Sequence, residues 1–177
     1  MADIPSFFNK GDFYGVLLPG YLVIITYLAL FHPSLLLGTT ALPFDLLSAL
    51  VFLVAGPVTG LTVRAIVDLV IRLLYIRGSK ERRKELDRFA RWYVHGRLCA
   101  TDAERLELDN MEAELKFNTS SGLGLAALGL ARIYFRGVDF LSIVPLGASV
   151  LLLIAYFSLR YDWGYLIVEL MKKYPLK

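Results

Sequence analysis

The sequence predicts an all-α, polytopic membrane protein: four transmembrane helices with a cytoplasmic amphipathic helical hairpin between spans 2 and 3. Three observations lead there. The chain of 177 residues is 56% hydrophobic with a mean hydropathy of +0.57, which lies above the usual range of soluble domains. Its uncharged runs are long enough, at ~1.5 Å per helical residue, to cross a hydrocarbon core ~30 Å thick. Its charge is unevenly placed: the net value is only +3, yet ten of the nineteen Lys and Arg residues lie between Arg77 and Lys116.

Residues 13–31 are nineteen uncharged positions and form the first expected span. This run exceeds the apolar core of a signal peptide and lacks a small-x-small cleavage site, so it reads as an uncleaved crossing. Pro19-Gly20 predicts a kink, and His32-Pro33 ends the helix because the residue before proline is displaced from the α region. The connection 32–44 carries no charge. The second span, 46–63, is again uncharged, and its helical pattern continues to Arg77. That makes a rod of ~48 Å, so about a dozen residues project beyond the hydrocarbon.

The third span is 119–135, with Arg132 as its only charge, near one end where a long side chain can snorkel. Arg136–Asp139 makes a tight turn, and 140–159, twenty uncharged residues, is the fourth span. Pro57 and Pro145 add two further expected kinks to that at Pro19. Small residues let helix backbones approach closely, so Gly56 and Gly60 form one packing seam and Gly122, Ala126 and Gly129 another, each a seat for the other.

Between spans 2 and 3 the character changes. Ser79–His95 places Arg82, Arg83, Lys84, Arg88 and Arg91 opposite an apolar side that includes Phe89, Trp92 and Tyr93, and Gly96 is expected to stop that helix. Thr101-Asp-Ala-Glu104 is a capping-box signature that opens a second helix running to about Asn118. The hairpin is therefore assigned to 79–118. The segment 160–177, with Tyr161, Trp163 and Tyr165, is assigned as an interfacial C-terminal tail. The connection 32–44 holds no Lys or Arg and the turn 136–139 one, against ten in 77–116 and four from Arg160 onward. The positive-inside rule then puts the hairpin and both termini in the cytoplasm.

The one constellation with chemical promise is Arg64, Asp68 and Arg72, which recur every four residues and share a helix face near the cytoplasmic interface. It is either an ion-paired ladder, a seat for a lipid phosphate, or the charged mouth of an ion path. The acidic run from Asp102 to Glu114 lacks the alternating spacing of a calcium loop, and His95 and Cys99 have no third group to orient them. A single cysteine excludes an internal disulfide. No phosphate loop, zinc spacing or nucleophile elbow occurs, so neither catalytic residues, a metal nor a cofactor is assigned.

Function reads first as a non-enzymatic interaction or assembly module. Its hairpin would bind a protein partner, a second copy in a homo-oligomer, or anionic lipid. Beside a membrane, lipid accounts for the basic helix better than nucleic acid does. The alternatives are an oligomeric channel or transporter component and, more weakly, a lipid-headgroup enzyme.

Overall fold

A computed structural model describes residues 13–33, 46–77 and 80–175. The expected loop 34–44 and the N-terminal segment lie outside the described residues. Among the described residues there is no strand, and five helical rods account for nearly everything. Helix α1 begins as a π-helical turn, Phe13–Leu17, and continues as α-helix over Leu18–Phe31. Pro19 thus falls where the π-helical turn passes into α-helix. Helix α2 is Leu46–Arg77, α3 Lys80–Cys99, α4 Asp102–Arg136 and α5 Phe140–Lys173, with Pro57 and Pro145 inside α2 and α5.

Helices α4 and α5 form the longest antiparallel pair, α1 packs on α4, and α2 packs on α1. Both members of the long pair differ from the sequence expectation. The second hairpin helix does not end near Asn118 but runs on through 119–135 as one rod of 35 residues, ~52 Å long. The small polar run Asn118–Ser121 reads as a boundary, yet it keeps its backbone helical because neighbouring helices bury Ser120, Ser121 and Gly122. The segment after Leu159 is likewise no separate tail: α5 passes through Arg160 unbroken to Lys173. Gly96 does not stop α3, which reaches Cys99; the glycine is buried, 4.0 Å from the Leu170 side chain by its missing methyl.

Two helices among the described residues, Phe13–Phe31 and Phe140–Lys173, are long and apolar enough to cross a membrane. Only 22% and 17% of their apolar windows are buried inside the protein, so neither is enclosed as the core helix of a soluble protein is. The 119–135 stretch of α4 is not among them, because its serines, glycines and Arg132 dilute its apolar character. In α2 the side chains of 46–52 lie outside the described residues.

At one end of the bundle, Arg132 does not snorkel. Its side chain is only 11% exposed and forks onto Asp139, with Nη2 donating to Oδ2 at 2.7 Å and Nε to both carboxylate oxygens at 3.1 and 3.2 Å. A third donor goes to the carbonyl of Leu30, one of the unpaired acceptors at the C-terminus of α1. Asp139 also caps α5, accepting from the Ser142 N–H at 2.7 Å while its own N–H donates to Ser142 Oγ at 3.0 Å. Gly137 makes the intervening turn with φ +82°, which a side chain would strain. The Arg132 guanidinium, with Ser142, holds the Asp139 carboxyl down at about 2.

At the other end, Ala100, Leu108, Ile167 and Leu170 form a small apolar core against Phe89, Tyr93 and Trp163, and Leu108 is fully buried. This core ties α3 to the extensions of α4 and α5. The expected capping box is present: Glu104 N–H donates to Thr101 Oγ1, and Thr101 N–H donates to Glu104 Oε2 at 2.8 Å.

The glycine seams serve different neighbours rather than each other. A methyl on Gly20 would lie 1.9 Å from the Gly56 carbonyl oxygen, and one on Gly60 1.9 Å from that of Val16, so α1 and α2 meet backbone to backbone. Gly56 faces the Tyr21 ring, whose hydroxyl donates to the Leu53 carbonyl at 3.0 Å. Gly122 and Gly129 instead face Leu153 and Leu146 of α5, with half-buried Ala126 between them, and Gly124 receives Val23 of α1. Gly60→Ala and Gly20→Ala should each destabilise the purified protein by ~1–3 kcal/mol or more, since a backbone atom cannot yield. Gly147, with open space around it, is the control: alanine there should be neutral or stabilising by up to ~1 kcal/mol. Thermal melts in detergent decide, and equal behaviour of Gly60→Ala and Gly147→Ala would contradict the seam.

Candidate functional site

The apolar runs of three helices give way to charge at one level. Arg64 is the first charge after the uncharged run of α2 and Arg160 the first after that of α5; Lys116 is the last before that of α4. The fold brings these three cations together around an open cleft of about 200 Å³. From α2 the cleft takes Arg64, Val67 and Asp68; from α4, Glu112, Leu115, Lys116, Thr119 and Ser120; from α5, Tyr156, Arg160 and Trp163. The start of α1 reaches the same level, since a methyl on Gly15 would sit 3.1 Å from Lys116 Cβ.

Of the sequence-predicted face, Arg64 and Asp68 line the cleft and pair with each other, Arg64 Nε donating to Asp68 Oδ2 at 3.2 Å. The Arg72 side chain lies outside the described residues. Both partners remain partly exposed, so their bond contributes little more than an ordinary surface pair, ~0–1 kcal/mol.

The remaining cleft residues were not visible as a group in the sequence. Glu112 is turned toward α3: its Oε1 accepts from the Tyr93 hydroxyl and lies 3.6 Å from Arg97 Nη1. Lys116 stands 3.9 Å from Glu112 Oε2, at the limit of an ion pair. Burial raises the Glu112 carboxyl above its ordinary value, against the opposing pull of Lys116 and Arg64. Arg160 has no carboxylate partner among the described residues; its guanidinium lies 5.3 Å above the Trp163 ring. Three buried donors among the described residues have no hydrogen-bond partner, Ser120 Oγ and Trp163 Nε1 on cleft residues and Ser121 Oγ away from it, whereas Thr119 Oγ1 is committed to the Leu115 carbonyl at 2.7 Å. The cleft therefore offers cations and unused donors in excess of acceptors, a set suited to an anion.

Of the acidic run of α4, Glu104, Asp109 and Glu112 are spent on structure. Arg97 of α3 bonds Asp109, and Glu104 accepts from Lys173 Nζ at 2.7 Å and from the Tyr174 hydroxyl at 3.2 Å. His95 Nε2 and Cys99 Sγ are 3.8 Å apart on an exposed turn of α3. Among the described residues no three His, Cys, Asp or Glu side chains are grouped to hold a metal ion. No protein family, characterised protein or solved structure matches this chain.

The Glu104–Lys173 contact fixes the far end of α5 on the first turn of α4, and it carries a pH signature. Lys173, with Thr101, lowers the Glu104 carboxyl from 4.5 to about 2. The folded state therefore gains stability from this group that is complete above pH 4.5 and is lost as pH falls toward about 2. Glutamine preserves the capping box but removes the charge. The wild-type melting temperature should drop further over that interval than that of Glu104→Gln. Parallel curves for the two proteins would refute the clasp.

Proposed function

We propose that the chain is a four-crossing membrane protein that works without catalysis, as an interaction and assembly module at the cytoplasmic membrane surface. The observation that carries this reading is the pair of polar levels that bound its uncharged helix stretches. One holds Arg64, Lys116 and Arg160; the other holds the carbonyl of Leu30 with Arg132 and Asp139. From Lys116 to Arg132 along α4 is ~24 Å, and from Asp139 to Arg160 along α5 ~31 Å. The second length matches a bilayer core of ~30 Å and the first is ~6 Å short of it. In this arrangement 119–135 crosses despite its small polar residues, because its serines and glycines face helices rather than lipid.

Beyond the charged level, α4, α5 and α3 continue as a cytoplasmic unit with its own apolar core. Trp92, Val94 and Leu98 of α3 remain exposed there beside Arg88 and Arg91, a surface able to meet anionic lipid, a protein partner or a second copy. A conducting path would need Arg64 and Asp68 to face a water-filled axis. Their bond to each other, and the flanking of the cleft by α4 and α5, support the module instead.

Topology is the test. With Cys99→Ser as background, single cysteines Gly38→Cys, Arg88→Cys and Leu176→Cys are labelled with an impermeant thiol reagent in vesicles of known orientation. Residues 88 and 176 should react from the cytoplasmic face and residue 38 only from the opposite one. Reaction of all three from one face would overturn the four-crossing arrangement.

A further inference from the structure

We infer that the cleft between α2, α4 and α5 is a receptor for a phosphate-bearing anionic group, held at the level of the lipid headgroups. The inference rests on the four-crossing reading for its depth in the membrane, but its chemistry stands on the cleft itself. The formal inventory is three cations against two carboxylates, and the pairings sharpen it. Asp68 is engaged by Arg64, and Glu112 is engaged from the α3 side by Tyr93 and Arg97, neither of which lines the cleft. Lys116, at the limit of ion-pair distance, and Arg160, without a carboxylate among the described residues, are left to attract an anion.

The second, independent observation is the buried donors. Ser120, 1% exposed, and half-buried Trp163 both line the cleft, and neither the Ser120 hydroxyl nor the Trp163 indole N–H has a partner among the described residues; the Ser121 hydroxyl, away from the cleft, has none either. A helical serine ordinarily finds a carbonyl one turn back, as Thr119 does. Unpartnered donors beside a cation without a carboxylate, Arg160, and one only loosely paired, Lys116, suit a tetrahedral oxyanion, which accepts several bonds at once. At about 200 Å³ the cleft is smaller than the ~300–1,000 Å³ of pockets for drug-sized ligands, and is scaled to one headgroup. Arginine supplies the planar fork and lysine the point charge that phosphate sites combine.

The full chain is reconstituted in nanodiscs of phosphatidylcholine with phosphatidylglycerol, and the lipids retained through detergent exchange are measured by native mass spectrometry. Wild type should retain phosphatidylglycerol over phosphatidylcholine. The double variant Lys116→Gln/Arg160→Gln should lose that preference by about tenfold or more, as expected for charge-assisted bonds in a partly buried site. Arg88→Gln/Arg91→Gln, with the same loss of charge on exposed α3, should lose only a few-fold. Ser120→Ala, which keeps the packing, should weaken retention while its melting temperature in pure phosphatidylcholine is unchanged or higher. Displacement of the retained lipid by inorganic phosphate would identify the phosphate alone as the recognised group; resistance to it would identify the whole lipid headgroup, and both support the inference. No preference in wild type, or equal loss in the two double variants, overturns it. A protein that labels with the wrong topology but still binds phosphate through Lys116 and Arg160 would refute the membrane reading and keep the cleft.

Discussion

A long antiparallel helix pair must be held at both ends, or its free ends fray. Helices α4 and α5 meet that constraint with different chemistry at each end. At the turn, one arginine fork satisfies a carboxylate that is itself a helix cap and a carbonyl at the end of a third helix, so α1, α4 and α5 are fixed by a single side chain. At the charged end, the closure is apolar, with Leu108, Ile167 and Leu170 excluded from solvent and the Lys173–Glu104 contact on the rim. The choice fits the proposed environments. In hydrocarbon, burying apolar surface between helices brings little gain, and polar closure is worth more; in water the balance reverses.

Helix α2 is attached differently. It leans on α1 through a seam where carbonyl oxygens occupy the space that side chains would need, at Gly20, Gly56 and Gly60. Such a seam is intolerant of any added atom but costs no side-chain ordering. Because α1 also packs on α4 through Gly124 and Val23, α2 reaches the rest of the molecule mainly by way of α1. The cleft is therefore assembled from one helix pair held firmly and one helix positioned at second hand.

What the sequence revealed and what it hid follow one physical division. Uncharged runs, the capping box at Thr101 and the continuation of α2 to Arg77 are properties of neighbouring residues along one chain, and they could be read directly. The unbroken course of α4 was hidden because Asn118–Gly122 have weak helix preference, and burial against other helices overrides it. The partners of Arg132, the opposite loyalties of the two glycine stripes and the meeting of Lys116, Arg160 and Arg64 all depend on register between helices, which local pattern does not encode. One signal for the cleft was present: each of those three cations bounds an uncharged run, and helices that alternate in direction bring such boundaries to a common level.

The unbroken course of α5 has a mechanical consequence. Thirteen residues separate Arg160 from Lys173, a straight arm of ~20 Å beyond the charged level. A rigid arm turns tilt into travel: leaning the helix by ~10°, as crossing helices do when bilayer thickness changes, swings its tip by ~3–4 Å. The Glu104–Lys173 contact sits at that tip; α3 meets the arm near its base, where Phe89 and Tyr93 pack on Trp163, and again farther out, where Gly96 faces Leu170. In the proposed four-crossing arrangement, changes in lipid thickness would reach the exposed face of α3 as sideways displacement through the Gly96–Leu170 contact.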